Sequence, residues 1–382
     1  MYFDCGTLDD WLSYNTVKVV RIRDRRLGIL HLTFLLGIFV YVVVVSIFMN
    51  KGYLEVEIPI GSIRTSLKPP VNYTYPLPYC GNQPGFNSTL FHNITCQYWD
   101  ENLVVFPIGE RDSFTASTRV KTSSQHADGC DFTNPNCTYT EDDPNSIFIA
   151  DIENFTLLID HTLYAPQSKV QKNSQQLSGY IENEEGDLIT LDVCVLDGVN
   201  SIGISGQPDI VTLGKILQFA GISLDDRSLT NASNSMRYDG VNIFVFITYS
   251  NTYSTNLDKY RYVYSVSVIE NTEYSVVEPI YQNDIQHRYL YRRHGIRLLF
   301  VQTGEVGKFE FQQLLLTLVS GMGLLAVSTI VVDQLAIRIL PQKKTYSSFK
   351  FQVTEGLKGS KMKKVVTNDE GEDIVYKNIE DL

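Results

Sequence analysis

Four arginines fall within ten residues late in the chain, at Arg288, Arg292, Arg293 and Arg297. A guanidinium carries forked donors that match phosphate oxygens two at a time. Such a cluster either grips a polyanion or pairs with carboxylates of its own domain, and residue type alone leaves both open. A second constellation follows. Gln313, Thr317, Ser320, Leu324 and Ser328 step by four, three, four and four through an oily run, which puts them on one helical stripe. A stripe of small and hydroxylated side chains either lines a watery pore around a symmetry axis or packs helix on helix. Asp333 closes the run, and a carboxylate there faces a cavity, a partner or the membrane interface.

Catalytic motifs are missing. The sequence holds no GxSxG, no GxxxxGK[ST], no HExxH and no GxGxxG opening a helix. The stretch Gly304-Glu-Val-Gly-Lys-Phe309 lacks the spacing and the hydroxyl of a phosphate loop. The six histidines are scattered, and no Cys/His spacing fits zinc. No enzyme activity, metal or cofactor is expected.

The elements that must position these residues begin with two apolar runs, Leu27 to Met49 and Phe311 to Val332, both free of Asp, Glu, Lys and Arg. Each is long enough to cross a bilayer core, which takes ~20 helical residues. All six Asn-x-Ser/Thr sequons lie between them, at Asn72, Asn87, Asn93, Asn136, Asn154 and Asn231. Sequons are used only on the non-cytosolic side. Lys18, Arg21, Arg23, Arg25 and Arg26 precede the first run, and Arg338, Lys343, Lys344 and Lys350 follow the second. Basic flanks favour the cytosol. No small-x-small cleavage site follows the first run, so a retained span is expected rather than a signal peptide. The reading is an integral membrane protein with two transmembrane α-helices and a large β-rich external or lumenal domain between them. Its segments are a cytosolic 1–26, a span 27–49, a glycosylated domain 50–310, a second span 311–340 and a cytosolic tail 341–382.

Residues 50–313 hold 18 Lys and Arg against 31 Asp and Glu, a net of -13. That surface repels nucleic acid and concentrates cations. Cys80, Cys96, Cys130, Cys137 and Cys194 lie on the oxidising side, and Cys5 on the cytosolic side. Proximity in sequence pairs Cys80 with Cys96 and Cys130 with Cys137, leaving Cys194 single. Alternation predicts strands at Val241 to Tyr249, Tyr260 to Val268, Gly295 to Val301, Lys308 to Phe311 and Phe155 to Ile159. Val211 to Ala220 reads as a helix. Pro69 to Asn87 and Asp128 to Pro144 read as loops, Gln171 to Gly186 as exposed and polar, and the tail from Lys361 as unstructured.

Several short motifs recur in a fixed order: Tyr14-Asn-Thr-Val-Lys18, Arg21-Ile-Arg23, Lys51-Gly-Tyr53, Lys68, Gly295-Ile-Arg297, Gly304, Gly307-Lys-Phe309, Ser320-Gly-Met-Gly323, Asp333 and Tyr346-Ser-Ser-Phe-Lys350. In that order the chain resembles the trimeric ATP-gated cation channels, the ionotropic purinergic receptors, and looks most like their amoebal and protist branch. The resemblance covers both ends well and the middle poorly. It implies a homotrimer with the second spans central, so that Thr317, Ser320, Leu324 and Ser328 line the pore. It implies ATP bound between subunits, with Lys68 and Arg292 on its phosphates and Arg293 as their neighbour. Monovalent cations and Ca2+ would permeate. Residence in the plasma membrane or in an organelle such as a contractile vacuole follows from the same likeness.

Departures matter too. Ser66 stands where the family has a second lysine, and a gapless count puts Thr272-Glu-Tyr274 on the family's Asn-Phe-Arg triplet. Either other cations such as Lys259 or Arg261 complete the cradle, or affinity is low, or the ligand differs. The ten-cysteine pattern of animal members is also gone. Two other classes stay open: a non-conducting two-pass glycoprotein for adhesion or accessory duty, and the epithelial sodium and acid-sensing type, which is richer in cysteine.

Overall fold

The computed structural model describes residues 25–87, 89–183, 185–191, 199–254, 256–341, 343–350, 365–367 and 373–375. Tyr14 to Lys18, Arg21 to Arg23, Cys5 and Cys194 lie outside the described residues. The chain divides into two units, Met1–Tyr53 with Glu310–Leu382, and Leu54–Phe309.

In the first unit, helix α1 (Arg25–Val40) continues as a π-helical stretch, Tyr41–Met49. Helix α5 (Phe311–Arg338) has 28 residues, enough for about 42 Å at ~1.5 Å per residue. That exceeds the ~30 Å hydrocarbon core of a bilayer. The two helices pack through small residues. A Cβ on Gly321 would stand 2.7 Å from Val42 Cγ1, so only glycine admits that valine. Ser328, Val332 and Ala336 continue the buried face. Leu27, Val332, Ala336 and Tyr346 form a small cluster that docks the short helix α6 (Lys343–Lys350).

The second unit is β-rich. Its ten-stranded sheet is organised on β14 (His287–Phe309), 23 residues long. On one side β14 pairs antiparallel with β4 (Ser113–His126). On the other it pairs parallel with β11 (Val241–Ser250) and antiparallel with β13 (Ser275–Tyr281). Its last residues pair with β1 (Leu54–Glu57). Outward from β4 come β5 (Thr140–Ile149) and β3 (Thr95–Gln97); outward from β11 come β12 (Arg261–Val268), β8 (Ser178–Glu182) and β9 (Leu188–Ile189). A second sheet holds β2 (Ile63–Lys68), β6 (Thr156–Ala165), β7 (Val170–Asn173) and β10 (Asp209–Thr212). The core lies on strict alternation: Val241, Ile243, Val245 and Ile247 of β11 are all buried, in one cluster with Leu157, Leu163, Leu298 and residues of helix α3 (Leu213–Phe219). The one-turn helices α2 (Glu101–Val104) and α4 (Met236–Asp239) precede β4 and β11. Cys80–Cys96 and Cys130–Cys137 are bonded, the first in a separate cluster with Phe91 and Phe148.

Several expectations need correction. Gly295 to Val301 and Lys308–Phe309 are one strand, because two glycines let it continue through irregularities, while Phe311 already begins helix α5. Gly295 follows a register shift, and a Cβ there would meet the Ala116 carbonyl at 2.1 Å. Gly304 has φ +112° and lies against the Tyr249 backbone. The central strand β4 escaped notice because most of its buried positions are polar, Thr115, Ser117, Thr118, Arg119, Ser123 and Gln125. Asp128 to Pro144 is loop only to Tyr139, since β5 begins at Thr140. Gln171 to Gly186 is not simply exposed: it carries β7 and β8, with Leu177 and Ile181 buried. The helix expected from Val211 begins at Leu213, capped by the Thr212 side chain, and the two residues before it belong to β10.

Candidate ligand site and pore stripe

The four clustered arginines all sit on β14, and the period of two divides their fates. Arg293 points inward and is 7% exposed. Its Nη2 lies 2.6 Å from Glu278 Oε2, its Nη1 donates to the Leu103 carbonyl at 2.6 Å, and its guanidinium sits over the Phe106 ring. A cation held that way braces the sheet, which sets Arg293 apart from Arg292 beside it. Arg297 pairs with Glu110 at 3.3 Å. Arg288 donates to Gln125 and stacks over Tyr139. Arg292 is exposed and forms no ion pair among the described residues. Most of the cluster is thus salt-bridged or stacked structure, and one member projects from it.

Lys68 ends β2, opposite Thr156 of β6. Pro69 and Pro70 follow, and their missing N–H groups stop the ladder. Lys68 is exposed, with Arg64 and Ser66 on the same face of the strand. It too forms no ion pair among the described residues. A cleft of about 410 Å³ lined by Arg64, Leu67, Glu110, Thr115 and Phe300 lies beside β2, and neither Lys68 nor Arg292 lines it.

The candidates held in reserve lie elsewhere. Lys259 and Arg261 sit at the β11–β12 turn, beside the Glu305 end of β14. Arg292 is 13 residues from Glu305 along that strand, roughly 43 Å at ~3.3 Å per residue. Within one chain they cannot complete a cradle around Arg292; Arg261 instead stacks 4.1 Å over Tyr253.

One cation near Arg292 was missed. Lys121 of β4 is its direct cross-strand partner, and Arg119 follows on the same face, opposite His294. Arg119 is buried and lies 3.7 Å over the Tyr238 ring. Burial, followed by the charges of Arg119 and Arg292, lowers the His294 imidazole to about 4. Alternation could have exposed this pairing, had the polar run Ser113 to His126 been read as a strand.

The pore stripe divides as well. The Thr317 hydroxyl lies 2.7 Å from the Gly52 carbonyl and 3.0 Å from the Gln313 carbonyl. Ser328 is 1% exposed. The Thr317 hydroxyl is thus engaged within its own chain, and Ser328 is buried there. Ser320 and Leu324 lie to one side of that buried face and are exposed. All six sequon asparagines are exposed, and the Asn154 side-chain amide donates to Thr74 and Asp151.

Comparison with known proteins follows the same outline. The family model described as ATP P2X receptor matches residues 12–145 and 135–353. P2X receptor A of Dictyostelium discoideum is 56% identical over 378 residues, covering 98% of each chain. P2X receptor C of the same organism is 52% identical over 376 residues, covering 98% of this chain and all of that one. P2X purinoceptor 4 of Bos taurus is 23% identical over 410 aligned positions, with 92% and 96% covered. Two solved structures share the fold. An invertebrate P2X receptor from the Gulf Coast tick, crystallised with ATP and Zn2+, gives a TM-score of 0.53 at 16% identity, covering 80% of this chain and 99% of that one. The chicken ATP-gated P2X7 receptor channel, crystallised with the competitive antagonist TNP-ATP, gives 0.51 at 17%, covering 80% and 98%. A match over most of the chain, with two long apolar helices bracketing a β-rich domain in sequence, sets the chain in this family and not in the epithelial sodium and acid-sensing type. This chain is a membrane protein that belongs to the ATP P2X receptor family of ATP-gated ion channels.

Proposed function

We propose that the protein is a homotrimeric cation channel opened by ATP bound between subunits, with Lys68 of one subunit and Arg292 of the next on the phosphates. The observation that carries this reading is the selective freedom of these two cations. Arg288, Arg293 and Arg297 are spent on partners within the chain, while Lys68 and Arg292 are exposed without an ion pair among the described residues. The domain around them is acidic, with 18 basic against 31 acidic residues over 50–313. ATP carries about four negative charges, so its site there needs converging cations. β14 ends at Phe309 and α5 begins at Phe311, so strain on the strand that carries Arg292 passes along a continuous chain toward the pore helix. Ser320 and Leu324 then face the axis, and the acidic domain enriches monovalent cations and Ca2+ at the entrance. The sequon-bearing domain is exposed outside the cell or in the lumen of an organelle such as a contractile vacuole.

The test is an ATP concentration–response series on Lys68→Ala and Arg292→Ala with expression checked in parallel. Each substitution removes a charge-assisted contact worth ~1.5–3 kcal/mol, a loss of roughly 10- to 150-fold in affinity. Unchanged half-maximal concentrations in both variants would show that the phosphates are held elsewhere.

A further inference from the structure

β4 presents Lys121 directly opposite Arg292 on β14. Directly opposed residues have Cβ atoms about 5 Å apart, and like charges so placed destabilise a sheet. The next pair on that face, Arg119 with His294, adds a second guanidinium. The outer cross-strand partners carry no charge: Arg292 faces Val277 on β13, and Lys121 faces Ser146 on β5. A fold does not need such a row for its own stability, since uncharged polar residues would serve at these edges without repulsion. An anion placed over the row turns the repulsion into attraction.

The carboxylate already there is Glu141 of β5. Its Oε1 lies 3.3 Å from Lys121 Nζ, and the two side chains are 42% and 36% exposed. The Ser123 hydroxyl, then Lys121 and more weakly Arg292, hold the Glu141 carboxyl below the usual range. The field of Arg292 thus reaches the same carboxylate that Lys121 binds. A single exposed carboxylate on one lysine is a weak and exchangeable partner. A triphosphate brings more charge and more acceptor oxygens to the same place.

We propose that Lys121 is a further ligand for the terminal phosphates of the nucleotide, and that Glu141 is a resident counter-ion which the incoming phosphate displaces. This rests on the reading of Arg292 as a phosphate ligand. It makes the cationic site a cross-strand pair, Arg292 with Lys121, and makes Glu141 a competitor that sets the affinity.

The experiment uses the full-length channel in a membrane, with currents evoked by graded ATP on the sequon-bearing side. Lys121→Gln raises the half-maximal concentration by about five- to twentyfold. Glu141→Gln lowers it by about two- to fivefold, a gain that impaired folding cannot produce. The double variant resembles Lys121→Gln, because Glu141 competes through Lys121. Lys121→Arg keeps near wild-type sensitivity and controls for loss of fold. Unchanged sensitivity in Lys121→Gln, or no gain in Glu141→Gln, overturns the proposal. If Lys68→Ala and Arg292→Ala shift the response while these two do not, this inference fails alone. If none of the four shifts it, the phosphate site itself is misplaced and both readings fall.

Discussion

At the residue scale, sequence and structure differ most over which cations are available. Spacing placed four arginines together, but only pairing shows that Arg293 is bound inside the sheet and Arg292 is not. The two make opposite predictions. Arg293→Gln leaves Glu278 half-buried without its partner and costs about 2–4 kcal/mol of stability. Thermal unfolding of the solubilised protein checks this, with reduced yield but unaltered half-maximal ATP in the channels that assemble. An affinity loss at normal stability would return Arg293 to the ligand site. His294 carries a pH prediction. Its folded value, about 4, lies below the ordinary 6.5. Between those values the unfolded chain binds the proton and the folded chain does not. Stability contributed by the neutral ring is therefore complete above about pH 6.5 and lost as pH falls toward about 4. His294→Gln should flatten melting temperature against pH over that window. An equal slope in the variant would assign the acid sensitivity to carboxylates instead.

At the element scale, strands whose apolar residues alternate were legible and strands made of small polar residues were not. Val241 to Tyr249 announces β11 because every second residue is aliphatic or aromatic and buried. β4 is as central, yet Thr115, Ser117 and Thr118 are buried as hydrogen-bonding packing, with Thr118 donating to the Arg237 carbonyl. The Lys121–Arg292 pairing stayed invisible with it. The helical stripe was legible as a stripe but ambiguous in its use, because small residues suit both a pore and a close helix contact. Thr317 against Gly52 assigns one member to contact within the chain, and Gly321 beside the stripe packs on Val42. Single cysteines give a sharp expectation. Ser320→Cys and Leu324→Cys react with a water-soluble thiol reagent when the channel is open, while Thr317→Cys and Ser328→Cys stay protected. Reaction at all four positions would mean that α5 rotates or separates from α1 on opening. Protection at all four would make the whole stripe packing.

At the scale of the whole molecule, topology was read from charge-free runs, sequon placement and basic flanks, which are bulk properties of a chain meeting a bilayer. Both long apolar helices and the β-rich unit between them are present. The proposed arrangement of subunits rests on what one pore helix cannot do alone: a channel needs several copies around an axis. Native mass measurement in mild detergent should give three chains, and a stable monomer or dimer would count against a pore built on Ser320 and Leu324. The most direct test of the central claim is electrical. ATP applied to the sequon-bearing side of a membrane holding only this protein should evoke a cation-selective current. That current should need about 10- to 150-fold more ATP when Lys68 or Arg292 is alanine. No current at any ATP concentration, with correctly inserted trimers present, would contradict the account.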